Sequence, residues 1–305
     1  MKKVLKWIGI LLGVLIVLVA VVAAAAYARG SAYLAREYDL EVETIEIPSD
    51  PESIANGEYL ATSLVDCTGC HGENFAGQEM INEEGFLVLY SANLTSGAGG
   101  IAASYTDEDW LRSMRHGIRP NGENLLVMPA QHLRQLGAED IGDIIAFVKT
   151  LPPVDHVIPA RQVFFMPRLL VGLGMFPPEA VAEIFPASVI DHQNNPFPVP
   201  PSKGVTVEWG QYRALFCTGC HAENLAGKPA DLQTGQPATP NLTPGGELLV
   251  WSVDDFIHTI RTGVTPTGKV LDEAMPWKEF ALATDDDLTA IFLYLQSLPA
   301  LETNN

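Results

Sequence analysis

All four cysteines of this 305-residue chain fall in two copies of one pentapeptide, Cys67-Thr-Gly-Cys-His71 and Cys217-Thr-Gly-Cys-His221. C-x-x-C-H is the spacing of c-type haem attachment. The two thiols add across the porphyrin vinyl groups as thioethers, and the following histidine reaches the iron through a ring nitrogen. Cys67, Cys70, Cys217 and Cys220 are therefore the candidate attachment residues, and His71 and His221 the candidate iron ligands, for two covalently bound haem c groups. Zinc and disulfides are the competing chemistries. A structural zinc site takes four protein ligands. This chain could supply them only by joining the two motifs, which leaves the matched histidines unexplained.

An iron held by one histidine has a sixth position, and its occupant separates electron transfer from ligand chemistry. One Met-Pro pair follows each motif, Met128-Pro129 and Met275-Pro276, 57 and 54 residues after His71 and His221. A thioether favours ferrous iron and raises the potential, so Met128 and Met275 are the candidate sixth ligands. Met80, Met114, Met166 and Met175 are expected to fill apolar gaps. His116, His132, His156, His192 and His258 have no matched positions in the two halves and are expected to make ordinary hydrogen bonds. A backbone carbonyl near Ala92 or Pro240 is the candidate acceptor for the second N–H of each proximal histidine. Asn93, Asn241, Arg115 and Arg261 recur; they could meet the haem propionates, and the arginines could equally form surface ion pairs.

The elements that must position these groups repeat. At an offset of 150 falling to 146–147, Asn93-Leu-Thr95 matches Asn241-Leu-Thr243, Thr106–Trp110 matches Ser252–Phe256, and the Lys149–Pro152 ending matches Gln296–Pro299. Thr106-x-x-Asp109 and Ser252-x-x-Asp255 are capping boxes with Asp in the third position, each opening a helix that should stop at Gly117 or Gly263. Ile141, Ile144, Ile145 and Val148, like Leu288, Ile291, Phe292 and Leu295, lie at helical spacing. Helices are also expected over 53–66 and 208–216, leading into the motifs. No run alternates well enough to predict a strand. The resulting division is an anchor or signal over 1–30, domains over 50–152 and 207–301, and a proline-rich joining segment over 153–206, expected to pack between them. Its apolar run 163–176 is too short and interrupted to span a bilayer.

Residues 7–28 are an unbroken uncharged stretch of 22, with Lys2, Lys3 and Lys6 before it and Arg29 after it. The length suits a transmembrane helix better than the shorter apolar core of a cleaved signal, although Ala26-Tyr27-Ala28 resembles a cleavage site. Either way the basic end stays inside, and the body lies on the periplasmic or extracellular side of the cytoplasmic membrane. Without those three lysines the chain has 15 basic against 37 acidic side chains, a net −22. So acidic a surface excludes nucleic acid as a partner and could steer a basic redox protein.

CTGCH, Asn-Leu-Thr, the Asp-aromatic helix, Arg-x-Gly, Met-Pro and the closing Leu-Pro, in this order, resemble the di-haem class I cytochrome c family. The resemblance covers about residues 50–301 apart from the joining segment, and is closest to membrane-anchored di-haem cytochromes and the cytochrome subunits of periplasmic dehydrogenases. It implies an all-α chain of two tandem class I domains after an N-terminal transmembrane helix, with His71/Met128 and His221/Met275 as axial pairs. It also implies an electron carrier rather than an enzyme, whose partners are redox proteins: a membrane donor or dehydrogenase on one side, a terminal oxidase or soluble carrier on the other. A haem enzyme of the di-haem peroxidase or thiosulfate-oxidising type is the competing function.

Overall fold

The computed structural model describes residues 2–230 and 236–304. It begins with α1 (Lys2–Leu34), whose large apolar side chains from Val4 to Val22 are exposed. At 1.5 Å per residue its 33 residues extend about 50 Å, enough to cross a bilayer.

Two runs of helices follow in the same order. The first comprises α2 (Pro51–Thr62), α3 (Cys67–His71), α4 (Asp107–His116), α5 (Ala130–Leu133) and α6 (Ala138–Thr150). After α7 (Phe165–Leu173) and α8 (Pro178–Ile184) come α9 (Val207–Arg213), α10 (Cys217–His221), α11 (Val253–Thr262), α12 (Trp277–Phe280) and α13 (Asp285–Ser297). Both capping boxes form, with Thr106 and Ser252 hydroxyls accepting from the amides of Asp109 and Asp255. Gly117 and Gly263 end α4 and α11 in the left-handed conformation, at φ 65° and 69°. The helices before the motifs are shorter than expected: α2 ends at Thr62 and α9 at Arg213, so each CTGCH occupies its own single turn.

Each run folds by crossing its first helix on its last. A Cβ on Gly57 of α2 would lie 1.9 Å from Asp143 O of α6, and one on Gly210 of α9 1.8 Å from Ala290 O of α13. Only glycine permits so close a backbone approach. The apolar faces then close two cores. One is built around Leu60, Trp110, Leu111 and Ile145, and the other around Leu225, Phe256, Ile291 and Leu295.

The units lock together reciprocally. Tyr59 of α2 donates to Asp287 Oδ2 (2.6 Å) and accepts from the Thr284 amide that caps α13. Tyr212 of α9 donates to Asp140 Oδ2 (2.6 Å) and accepts from the Gly137 amide that caps α6. Leu64 enters the second core, while Leu215 and Phe216 pack on the first.

One expectation needs correction and another needs extension. Strands exist: β1 (Glu79–Glu83), β2 (Leu87–Tyr90) and β3 (Gln162–Val163) form an antiparallel sheet in the order β1-β2-β3, with Gly85 turning between the first two. The strands are too short to show alternation in the sequence. The joining segment does touch both units, with Ile184 O accepting from the Val127 amide of the first and Glu183 pairing with Lys228 of the second (3.2 Å), but it also does more. Its β3 extends the sheet of the first unit, α7 packs along α1, and His192 and Asn195 bond to side chains of α4 and of Arg134.

Candidate functional site

The two CTGCH turns have matching surroundings. His71 Nδ1 lies 2.8 Å from the Ala92 carbonyl, and His221 Nδ1 lies 2.9 Å from that of Pro240. A carbonyl only accepts, so each Nδ1 carries the proton and each Nε2 keeps its lone pair for a metal. Burial lowers both imidazole pKa values, against the smaller opposing effect of the carbonyl bond, and so keeps them neutral. Burial likewise pushes the Cys67 and Cys217 thiols up to about 12 and raises Cys70 and Cys220. Among the described residues no three His, Cys, Asp or Glu side chains gather closely enough to hold a metal ion, so the zinc reading finds no site.

The loops that present Met128 and Met275 also match. The amides of Leu125 and Leu271 donate to Gly117 O and Gly263 O, each at 2.8 Å. Pro129 and Pro276 adopt nearly the same conformation, with φ/ψ of −78°/51° and −76°/54°. The Ala130 and Trp277 amides then bond back to the carbonyls of Met128 and Met275, each at 2.7 Å.

Beside α3 lies a cavity of about 330 Å³, walled by Leu94, Trp110, Leu133, Ile144, Ile145 and Val148. Cys67, Cys70, His71 and Met128, far apart in sequence, all line it. Met80 and Met114, expected only to fill gaps, line it too, so three thioethers reach this space. Met275 is half-buried in the second core together with Cys217.

Of the four expected propionate partners only Asn93 lines the cavity beside α3, and the polar groups of all four bond to the protein itself. Asn93 donates to Val154 O and Asn241 to Leu301 O, both at 2.8 Å, and each also accepts from the amide two residues on. They fasten the chain beyond the last helix of each unit. Arg115 is fully buried, bonded to Glu43, Arg134 O and Asn195 O; Arg261 is bonded to Ala281 O, Ala283 O and Asp285. The arginines that line the first cavity are Arg119 and Arg161. Arg161 donates to Asn124 O (2.9 Å), and burial, then the neighbouring Arg119 charge, lowers its pKa. Arg119 Nε is buried with no partner. No repeat marked these two residues, because Thr265 stands opposite Arg119 and Arg161 comes from the joining segment.

A thiol pair, a neutral imidazole with a free Nε2, thioethers and an apolar cavity with two guanidinium groups fit a covalently bound haem. Residues 52–148 match the family described as "Cytochrome C oxidase, cbb3-type, subunit III", a span holding the first CTGCH and Met128. That span is a cytochrome c family domain. The chain is 29% identical to the fructose dehydrogenase cytochrome subunit of Gluconobacter japonicus, over 81% of its own length and 53% of that protein. It is 27% identical to the alcohol dehydrogenase (quinone) cytochrome c subunit of Gluconobacter oxydans, over 83% of its length and 56% of that protein. With a diheme cytochrome c-type protein of Cereibacter sphaeroides it shares 25% identity, over 85% and 93% of the two chains. The chain thus spans little more than half the length of the dehydrogenase subunits it matches.

Proposed function

We propose that this cytochrome holds two haem c groups in two tandem class I domains, over 50–152 and 207–301, and passes single electrons between redox proteins outside the cytoplasm. The observation that carries this reading is the duplicated geometry: each unit presents two thiols, an imidazole fixed in one tautomer and a methionine held on a Met-Pro turn. Cys67, Cys70, Cys217 and Cys220 would attach the groups, with His71 and Met128, and His221 and Met275, as axial pairs. When bound, the haem supplies the one-electron chemistry. The chain contributes the ligand set, a dry surround, and in the first unit the Arg119 and Arg161 charges beside the propionates. A thioether in the sixth position leaves no open site for peroxide or a sulfur substrate, which favours the carrier over the haem enzyme.

The interlock of the units supports a relay within the molecule. His132, one turn beyond Met128-Pro129, packs its ring 5.9 Å from that of Phe216, immediately before the second CTGCH. The methionine loop of one site therefore abuts the attachment turn of the other. The relatives named as dehydrogenase cytochrome subunits support a dehydrogenase or another membrane-side donor as the electron source. A terminal oxidase or soluble carrier would be the acceptor, and α1 would be the membrane anchor. Intact-mass measurement of the mature chain tests the count directly. Two added haem masses are expected; one would leave a single-centre carrier, and none would end the cytochrome reading. The oxidised protein should be low-spin, with the far-red band of methionine-bound ferric iron.

A further inference from the structure

Met166 and Met175 do not fill gaps. Together with Phe165 and Leu173 they are 45–64% exposed, on α7 and the turn just after it, while the helix's other face, Pro167 and Gly172, is buried. A helix apolar on both sides belongs either in a protein interior or against lipid, and α7 is not in an interior. Its place in the fold identifies what covers it. It crosses α1 at backbone contact: a Cβ on Gly172 would lie 1.7 Å from Ala26 O, and one on Gly30 would lie 1.8 Å from Arg168 O. Tyr27 of α1 stacks on Phe165, with ring centroids 5.1 Å apart. If the exposed stretch from about residue 7 crosses a hydrocarbon layer of ~30 Å, some 20 residues complete the crossing near Tyr27. Tyr27 and the exposed Arg29 then sit at headgroup level, where aromatic and basic side chains are favourable. That is the level at which α7 crosses.

We infer that α7 and the residues to Phe176 lie in the membrane–water interface, their exposed apolar side chains in lipid, as a second seat for the haem-bearing body beside α1. The inference rests on α1 being a retained anchor. The chain leaving α1 is already fastened to the first unit, with the Tyr38 amide on Gly122 O (2.9 Å) and Glu43 on Arg115 and His116. A second contact at the α1 crossing fixes the first unit, whose sheet β3 leads directly into α7, at one height and tilt.

The test uses the full-length haem-loaded protein in phosphatidylcholine vesicles doped with a lipid bearing a photoreactive diazirine on its acyl chain, with adducts mapped by peptide mass spectrometry. Adducts are expected on α1 and on the segment 165–176. Leu173→Asp, at an exposed position outside both haem sites, should keep the absorption spectrum and reduce labelling of 165–176 severalfold while α1 labelling persists. Adducts on α1 alone in the unaltered protein would overturn the seat and leave the anchor standing. Adducts on neither segment would remove the anchor and the seat together.

Discussion

The two units share helix order, crossing glycines, capping boxes and ligand loops, yet the space around the two attachment turns differs in charge. Asp66 precedes the first CTGCH, in a left-handed conformation at φ 51°, and accepts from the Gly69 amide; Phe216 occupies that place before the second. Arg119 and Arg161 line the first cavity, and Thr265 stands where Arg119 would be in the second unit. The sheet, with its third strand from the joining segment, is built on the first unit. On the proposed function, duplication has preserved the parts that would hold a haem and released those that would set its energy. Two otherwise similar centres would then differ in potential, as a relay with a direction requires.

The largest effect should come from what the units have in common. Met128→Ala and Met275→Ala should each open one iron, abolish its share of the far-red band, and lower its potential by a sizeable fraction of the ~0.8 V range that axial ligands control. Potentiometric titration with optical and electron paramagnetic resonance detection would show this one centre at a time. Met80→Ala and Met114→Ala are the controls, since both side chains also line the first cavity. If either of them, and not Met128→Ala, opens the first iron, the symmetry of the axial pairs is broken.

The next test addresses what only the first unit has. Arg119→Gln and Arg161→Gln should lower the first potential and leave the second unchanged, because removing positive charge disfavours the extra electron. For a charge on the order of 10 Å from the metal and an effective dielectric of about 20, Coulomb's law gives about 1.7 kcal/mol, or about 70 mV for one electron. Partial compensation by Glu123, 4.0 Å from Arg161, should make the second substitution the weaker. Equal shifts at both centres would mean that the arginines act at long range on the whole molecule.

These contrasts show what a sequence can carry. Attachment turns, Met-Pro loops, capping boxes and terminating glycines were legible because each is a local pattern with a local cause. The carbonyl partners of His71 and His221 were also within reach, since they lie just before Asn93 and Asn241 in the repeated Asn-Leu-Thr loop. The propionate candidates rested on recurrence, and recurrence followed the shared scaffold: Arg261 makes the surface ion pair that was the alternative, with Asp285, and Arg115 pairs with Glu43. Asn93 and Asn241 repeat because both units must tie down the chain after Leu-Pro. Arg119 and Arg161 differ between the units, so comparison of the halves passed over them. The tyrosine lock was hidden as well. Tyr59 corresponds to Trp209, and Tyr212 to Thr62, one helical turn away on α2.

That lock offers a third comparison. Tyr59→Phe and Tyr212→Phe each delete a donor to a buried carboxylate, a loss of about 1.5–3 kcal/mol, or ~3–8 °C in melting temperature. Asp287 would keep the Trp209 Nε1 bond at 2.6 Å, and Asp140 would keep Arg213 at 3.1 Å. Tyr212→Phe also strips the buried Gly137 amide of its acceptor, so it should be the more damaging. Differential scanning calorimetry of the haem-loaded protein would rank them. A melt that splits into two transitions would show that the lock makes the units unfold as one.

The smallest effect is expected from acid, again in the first unit alone. Burial by itself would raise the Glu43 carboxyl, but hydrogen bonds from His116 (3.0 Å) and Arg115 (3.1 Å) outweigh it and hold the pKa lowered to about 2. His116 also lies 3.0 Å from His192, which donates to Ala187 O, so the cluster ties the chain leaving α1 to α4 and to the joining segment. An unfolded glutamate titrates near 4.3. Because the folded value is the lower one, the stabilisation is fully present above about pH 4.3 and is lost as pH falls toward 2. Solvent reaches Glu43, which weakens the contribution. In the second unit Thr262 replaces His116 and Arg261 pairs with the exposed Asp285, so no matching loss is expected there. Glu43→Gln should lower the melting temperature at pH 6 and flatten its decline between pH 5 and 3. A decline as steep in Glu43→Gln as in the unaltered protein would overturn the assignment of the acid sensitivity to Glu43.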